Sequence, residues 1–460
     1  MFFEEWIHNK IRKTFKKNPE YRKFTGKENL QEINRQDVEK FQCFNLNKIL
    51  EYASSQSVFY RGLYQKVGTI NTLADLGNIP FTQPDDIRYH PYKLLCVSQS
   101  QIKRTFSHFT TGTTGRPKKI FFTQKDADAI VDSKAAIMKT VMSEAGMDMR
   151  GQSVHIFLPD NVTPLSMARL IARGVEKLGG VPVIGDCYCP TEEKIQSIIK
   201  TRPVMIMGSA FRIWRMTQEG RLIHNLKSIG VKAVFITSEY LAVPARKYLE
   251  TCWGAEIFHH YGMTEAGFAI GIECHAHDGY HFNECDLLFE TVDPETSEML
   301  TNEEEGELVF TTLNREGMPL IRYRTGDIAR IIRTPCKCGA NTVLKIGQIP
   351  KRKALIVEIG NKRKIFTSMV DDALYAVPEL VDYRLFITKK NSKDAICCHA
   401  EVLENSTGVE QQIIQRLISI APIKESIGSK MLGMPEIKFA EKGTLRRGGR
   451  TQKRRIVDNR

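Results

Sequence analysis

The stretch SVHIFLPDNVTPLSMARLIARGVEKLGGVPVIG, residues 153–185, decides the fold of this 460-residue chain. SVHIFL and VPVIG are short β-rich runs, and PLSMARLIARGVEKLGG between them is an amphipathic segment of helical length. A strand, a helix and a second strand in this order form a βαβ unit, which implies a parallel sheet with a right-handed crossover. We therefore predict an α/β protein.

The same alternation continues along the chain. Further strands are predicted over VMIMGS (204–209), VKAVFITSE (231–239) and EIFHHYG (256–262), and a helix over EEKIQSIIKTR (192–202). In parallel sheets, ligands bind beyond the carboxyl ends of the strands. The polar residues Ser238, Glu239 and His260 lie at two of those ends, so we expect a site there.

The pattern changes after about Gly279. DLLFETVD, GELVFTTL and LIRYRTGDIARII follow one another without helices, which predicts an antiparallel subdomain. A new α/β stretch begins near Gly347, after the charged, proline-containing linker IGQIPKRKA. We predict a large N-terminal domain, 1–346, with mostly parallel sheets and a mostly helical region over about 1–100. A small mobile C-terminal α/β domain, 347–460, follows it.

Composition excludes several classes of protein. Hydrophobic residues make up 42% and charged residues 26%, as in globular proteins, and no apolar run is long enough to span a bilayer. Glu4 and Glu5 interrupt the apolar N-terminus, so it is not a signal-peptide core, and we expect a cytoplasmic location. The odd number of cysteines, eleven, argues against a disulfide framework.

The net charge of +13 is concentrated near the C-terminus. Residues 441–460 hold eight Lys or Arg against two acids, a net +6. No aromatic residue interleaves these charges and no nucleic-acid motif occurs elsewhere, so we do not expect a nucleic-acid partner. A flexible cationic lid over phosphates and a solvated terminus both remain open.

The segment Phe109–Lys118, FTTGTTGRPK, is a predicted loop between two strands. Its two glycines let backbone N–H groups converge, its four threonine hydroxyls add donors, and Lys118 supplies positive charge. These features are typical of a phosphate cradle. A polar turn between two strands is the plainer alternative.

Two further segments carry chemistry that suits a nucleotide. In HYGMTE, Gly262 permits a tight turn, Tyr261 offers a ring for a base, and Glu265 offers a carboxylate for Mg²⁺. In YRTGD, the carboxylate of Asp327 beside a turn can accept hydrogen bonds from both hydroxyls of a ribose. Each segment is also compatible with an ordinary turn.

Together and in this order, the three segments resemble the adenylate-forming superfamily of acyl-CoA synthetases, adenylation domains and luciferases. GELVFTTLNREGMPLIRYRTGD, followed by PCKCG, resembles the phenylacetate–CoA ligase branch, as does the closing GTLRRGGRTQKRRIVDNR. The resemblance covers roughly Thr105 to Arg460. It implies that a carboxylate attacks the α-phosphate of ATP to form acyl-AMP, and that a thiol then displaces AMP.

The resemblance also implies a role for each matching residue. The β- and γ-phosphates would be held by Thr110, Thr111, Gly112, Thr113, Thr114, Gly115 and Lys118, and the adenine by Ser238, Glu239, Tyr261, Gly262 and Met263. Thr264 would contact the α-phosphate, Glu265 would bind Mg²⁺, and Asp327 would hold the ribose. Fixed donors and a metal stabilise the charge that develops on phosphate oxygens.

The C-terminal segment departs from the family at two places. Where the family has a Gly-Lys pair that acts in adenylation, this chain has Thr451-Gln452, and Lys453 follows one residue later. The family's Gly-Arg-x-Asp hinge corresponds to Gly347–Pro350, which lacks both the arginine and the aspartate. We expect Lys453 to replace the missing lysine. Lys351 and Arg352 could replace the missing residues of the hinge.

The resemblance further implies a structural zinc ion, because relatives in this branch place zinc between two corresponding segments. The four expected ligands are Cys274, His281, Cys336 and Cys338. His275 and His277 compete with His281, and the family's spacing favours His281. Reduced, unliganded thiols are the alternative. Cys187 and Cys189 have no histidine nearby and are not expected to bind metal.

From these observations we predict an AMP-forming carboxylate–CoA ligase that uses ATP, Mg²⁺ and coenzyme A. Two alternatives remain: an adenylate-forming enzyme with another acceptor, such as an acyl-protein synthetase or a cofactor adenylylating enzyme, and a nucleotide-binding pseudoenzyme. The expected partners are a small carboxylic acid and CoA or another thiol. The sequence does not identify the acid or the oligomeric state.

Overall fold

The computed structural model describes residues 2–64, 67–108, 117–160, 163, 165–268, 270–301, 303–403, 408–446 and 455–460. Its helices are α1 (Phe2–Lys17), α2 (Pro19–Thr25), α3 (Arg35–Gln56), α4 (Val58–Leu63), α5 (Pro84–Tyr89), α6 (Gln124–Glu144), α7 (Met167–Lys177), α8 (Thr191–Thr201), α9 (Ala210–Gly220), α10 (Val243–Trp253), α11 (Thr367–Leu374), α12 (Val409–Ser419) and α13 (Ala421–Gly428).

The strands are β1 (Arg104–His108), β2 (Lys118–Phe122), β3 (Ser153–Phe157), β4 (Val181–Ile184), β5 (Met205–Ser209), β6 (Ala233–Thr237), β7 (Glu256–Tyr261), β8 (Gly271–Ile272), β9 (Tyr280–Phe282), β10 (Leu287–Val292), β11 (Met299–Leu300), β12 (Gly306–Thr312), β13 (Tyr323–Ala329), β14 (Ile331–Ile332), β15 (Lys345–Ile346), β16 (Lys351–Arg352), β17 (Val357–Ile359), β18 (Arg363–Ile365), β19 (Leu380–Lys390), β20 (Lys393–Val402), β21 (Glu436–Phe439) and β22 (Ile456–Asp458).

The chain divides into two compact units. The first contains residues 1–152, 159–184 and 258–348, and the second contains 153–158, 185–257 and 349–460. The second unit thus combines part of the predicted parallel sheet with the C-terminal segment. The predicted domain boundary at 346/347 remains a prediction.

The first unit combines the N-terminal helices with antiparallel strands. Helix α1 buries Phe3 and Ile7 fully and Phe2 and Trp6 partly. Strands β10, β12 and β13 pair antiparallel, and so do β7, β8 and β9. The antiparallel subdomain expected after Gly279 is therefore present.

The second unit contains parallel strands and the C-terminal segment. Strands β3, β5 and β6 pair in parallel, as the βαβ pattern predicts. Strands β21, β20, β19 and β22 form a four-stranded sheet with helices α11 to α13 in the same unit. Trp214 of α9 is buried among the apolar side chains of this unit, and its Nε1 donates to the carbonyl oxygen of Leu380 at 3.0 Å.

The α/β fold predicted from the sequence is confirmed. All five strands expected between residues 153 and 262 are present; α7 lies within its predicted segment, and α8 matches its predicted segment to within one residue at each end. Among the described residues, no helix combines the length and the apolar character needed to cross a bilayer.

Candidate active site

The hairpin of β1 and β2 carries the first predicted motif. Arg104 pairs with Phe122 and His108 pairs with Lys118 in an antiparallel register, so the motif lies between two strands, as predicted. Thr110, Thr111, Gly112, Thr113, Thr114 and Gly115 lie outside the described residues. The pairing places Lys118 at the first position of β2, directly after the motif.

Lys118 meets the carboxylate of Glu265 in the first unit. Its Nζ lies 2.6 Å from Oε1 of Glu265, and the two side chains are only 9% and 13% exposed. Nζ also donates to Oη of Tyr323 at 2.7 Å, and this hydroxyl donates to the same Glu265 oxygen at 3.2 Å. The structure therefore brings together two predicted site residues and a tyrosine that was not predicted.

The segment between Tyr261 and Glu265 follows strand β7 and turns sharply. A Cβ on Gly262 would lie 2.5 Å from the carbonyl oxygen of Phe268, so only glycine fits there. The N–H of Phe268 donates to the carbonyl of Met263 at 2.8 Å, and that of Gly267 donates to the carbonyl of Thr264 at 3.0 Å. These bonds fold the motif into a compact turn with Thr264 buried.

Tyr261 and Asp327 are joined directly. The hydroxyl of Tyr261 donates to Oδ2 of Asp327 at 2.7 Å, and Asp327 is 3% exposed. Gly326, with a φ of +75°, forms the turn before this aspartate, and its N–H donates to Glu307 at 3.1 Å. The second and third sequence motifs therefore meet in the first unit.

Ser238 and Glu239 follow strand β6 in the second unit. Ser238 has a φ of +76°, which is uncommon for a residue with a side chain. Oε2 of Glu239 accepts the N–H of Phe211 at 3.0 Å, in the first turn of helix α9. This carboxylate therefore accepts a hydrogen bond from a backbone N–H at the N-terminus of helix α9. Its predicted contact with adenine stays a prediction.

Cys274, His281, Cys336 and Cys338 converge in the first unit, and their candidate ligand atoms all lie within 4.8 Å of one another. The sulfur atoms of Cys274 and Cys336 are 3.6 Å apart, and Nε2 of His281 lies 3.5 Å from the sulfur of Cys338. A tetrahedral ion with sulfur ligands at about 2.3 Å would separate two sulfurs by about 3.8 Å. The four residues therefore fit a tetrahedral metal ion.

The local backbone and electrostatics support this arrangement. Gly339 has a φ of +90° and its N–H donates to the carbonyl of Cys336 at 3.0 Å, which makes the predicted knuckle turn. A hydrogen bond from Cys274 and the neighbouring His281 lower the pKa of the Cys338 thiol. The competing histidines lie elsewhere: His275 contacts Glu144, and His277 contacts Glu273.

Two residues near the site were not assigned a role from the sequence. Tyr323 begins the YRTGD motif, but only its spatial position reveals the bridge between Lys118 and Glu265. Gln348 occupies a predicted hinge position, and its Oε1 accepts from the hydroxyl of Tyr280 at 2.7 Å. Its Nε2 donates to the buried Glu273 at 2.8 Å. Gln452 and Lys453 lie outside the described residues.

Known proteins resemble this chain over most of its length. Residues 98–314 match the family model described as AMP-binding enzyme. The phenylacetate–coenzyme A ligase of Thermus thermophilus is 29% identical over 397 residues, covering 82% of this chain and 84% of that one. The corresponding ligase of Pseudomonas putida is 26% identical over 426 residues, covering 89% and 92%.

Solved structures show the same fold. A 2-hydroxyisobutyryl-CoA ligase in the postadenylation state, in complex with R3-HIB-AMP, superposes with a TM-score of 0.74 at 20% sequence identity. The superposition covers 93% of this chain and 90% of that chain.

Proposed function

We propose that this chain, which resembles the adenylate-forming enzymes and within them the phenylacetate–CoA ligases, is an AMP-forming carboxylate–CoA ligase. It activates a carboxylic acid with ATP as an acyl-adenylate and transfers the acyl group to coenzyme A. The matched family and relatives confirm the resemblance drawn from the three sequence motifs.

The observation that carries the proposal is the buried pair of Lys118 and Glu265, 2.6 Å apart. These two groups have the charges that a metal–nucleotide complex needs: an ammonium for phosphate oxygens and a carboxylate for Mg²⁺. In the same unit, Tyr261 and Asp327 offer an aromatic ring and a ribose acceptor. A purely structural ion pair would not require these neighbours.

Each of these residues would have a separate role in adenylation. Lys118 would hold the β- and γ-phosphates, Thr264 would donate to the α-phosphate, and Glu265 would carry Mg²⁺. Bound Mg²⁺ supplies charge stabilisation at the phosphate oxygens. Asp327 would accept from the ribose, and its hydrogen bond from Tyr261 orients the carboxylate for that purpose.

The cluster of Cys274, His281, Cys336 and Cys338 would hold a structural zinc ion. Its separations suit tetrahedral coordination, and its four protein ligands leave no open position for catalysis. The thiolates stabilise the turn around Gly339 when they are metal-bound. Zinc therefore contributes to stability in this proposal, and not to the chemical step.

The C-terminal segment would supply the remaining positive charge. We expect Lys453 to act in adenylation and the linker to permit rotation of the small domain. Because the side chain of Gln348 is bonded to Tyr280 and Glu273 within the first unit, the rotation would begin after this residue. Gln348 therefore acts as an anchor in place of the family's charged hinge.

Pyrophosphate release with a panel of carboxylic acids tests the first half-reaction. The expected result is acid-dependent release that requires Mg²⁺ and is strongly reduced in Glu265→Gln. CoA-dependent release of AMP then tests the second half-reaction. Pyrophosphate release without CoA dependence would favour another acceptor, and nucleotide binding without release with any acid would favour the pseudoenzyme.

A further inference from the structure

Lys134 of helix α6 places an ammonium group in the interior of the first unit. The residue is 5% exposed, and its Nζ donates to the carbonyl oxygen of Phe268 at 3.4 Å. Burial alone lowers the pKa of Lys134 to about 7, because no carboxylate among the described residues compensates for its lost hydration. Buried lysines are ordinarily paired with an acid, but Lys134 contacts no acidic side chain among the described residues.

Other lysines of the same unit show the ordinary arrangement. Lys118 pairs with Glu265, Lys10 with Asp286 at 3.2 Å, and the buried Lys345 with Asp278 at 3.0 Å. Lys134 is as buried as Lys118 and Lys345, but within the described part of the chain its ammonium group contacts only a neutral carbonyl oxygen. An anion or an oxygen acceptor from a ligand would supply the missing interaction.

The position of Lys134 relates this ammonium to the candidate active site. Its acceptor, the carbonyl of Phe268, lies against Gly262. The ring of His260 lies against the same glycine: a Cβ placed on Gly262 would be 2.7 Å from its Cε1. Gly262 lies two residues before Thr264, which would contact the α-phosphate. Because the carboxylate of the acid must reach that phosphate, the rest of the acid lies close to this turn.

We propose that Lys134 is a specificity-determining residue that donates to an oxygen carried by the acyl chain of the acid. The acid substrate therefore belongs to the class that bears a second oxygen function, a hydroxyl, carbonyl or carboxylate, in addition to the carboxylate that is activated. This inference rests on the proposed ligase function. His260 lies beside the same turn.

The test compares pairs of acids with the same carbon skeleton, with and without the second oxygen function, in pyrophosphate release. The wild type should prefer the oxygen-bearing member by about tenfold or more in kcat/KM, since a site that donates to a substrate oxygen discriminates against its absence. Lys134→Met should abolish this preference and leave the deoxy acid at its wild-type rate or above. Lys134→Gln, which keeps an N–H donor, should retain part of the preference.

Lys10→Met is the matched control, because it removes a lysine of the same unit whose charge is already paired. It should leave the preference unchanged. Comparison of hydroxy or keto acids with dicarboxylic acids identifies whether the oxygen is neutral or charged. Equal preference in the wild type and in Lys134→Met would overturn the inference while the ligase function stands. Failure of the wild type to release pyrophosphate with any acid would overturn both.

Discussion

The ammonium nitrogen of Lys118 lies 2.6 Å from Oε1 of Glu265, the carboxylate that we assign to Mg²⁺. Both side chains are nearly buried, and such a pair is held more firmly than one on the surface. Mg²⁺ bound at Glu265 would therefore compete with Lys118 for this carboxylate.

Glu265→Gln should weaken the Mg²⁺-dependent part of the stabilisation by ATP. A ligand that binds the folded state raises the melting temperature, and the amide removes the charge that attracts the metal. The measurement is the melting temperature with ATP, with and without Mg²⁺. The same Mg²⁺-dependent shift in the variant and the wild type would remove Glu265 from the metal site.

Tyr323→Phe should slow adenylation by about 10- to 100-fold, the range expected from losing a hydrogen bond to a charged group. The ring stays in place, so the fold should not change, but the hydroxyl that bridges Lys118 and Glu265 is lost. Tyr21→Phe is the control, because the buried hydroxyl of Tyr21 has no hydrogen-bond partner among the residues that the structure describes. Equal rates of pyrophosphate release by the wild type, Tyr323→Phe and Tyr21→Phe would show that Tyr323 contributes only to packing.

Cys336→Ser with Cys338→Ser should lose the metal and destabilise the fold, because two of four ligands are removed. Metal analysis of protein purified without added zinc should find about one equivalent in the wild type. Cys187→Ser with Cys189→Ser changes another close cysteine pair and should keep the metal. Full zinc content in the first double variant would show that the ligands lie elsewhere.

Lys453→Ala should slow formation of acyl-AMP by roughly 10²-fold or more, the scale of deleting a preorganised charge donor. Transfer from pre-formed acyl-AMP to CoA should remain nearly intact, because a lysine that acts only in adenylation does not touch that step. Gln452→Lys should accelerate adenylation if this position faces the phosphates. A wild-type rate for Lys453→Ala, with no gain for Gln452→Lys, would exclude a catalytic role for this segment.

His155 should make stability depend on pH. It is fully buried beside Thr201, and burial lowers its pKa to about 4, below the value of about 6.5 in the unfolded chain. The contribution of neutral His155 to the free energy of unfolding is therefore present above pH 6.5. It is lost as the pH falls toward 4, by at most about 1.4 kcal/mol per pH unit. In urea unfolding, His155→Gln should be less stable at pH 7, and its deficit should shrink by pH 4.5. A constant deficit would contradict this prediction.

The sequence by itself predicted the elements and the motifs, because these depend on neighbouring residues. Period-two and helical patterns predicted β3 to β7 with α7 and α8. The linker, predicted from its proline and charges, stays a prediction. The three nucleotide motifs were identified because each consists of a few consecutive residues. Local steric and hydrogen-bonding preferences determine such features before any distant contact forms.

Only the tertiary structure decided which distant side chains meet. It brought His281, the histidine that the family's spacing favoured, to the three cysteines. It placed Tyr323 between Lys118 and Glu265, and it buried Lys134 against Phe268, with no acidic partner in the described part of the chain. Contacts between residues more than fifty positions apart depend on how sheets and helices pack, and local patterns do not encode that packing.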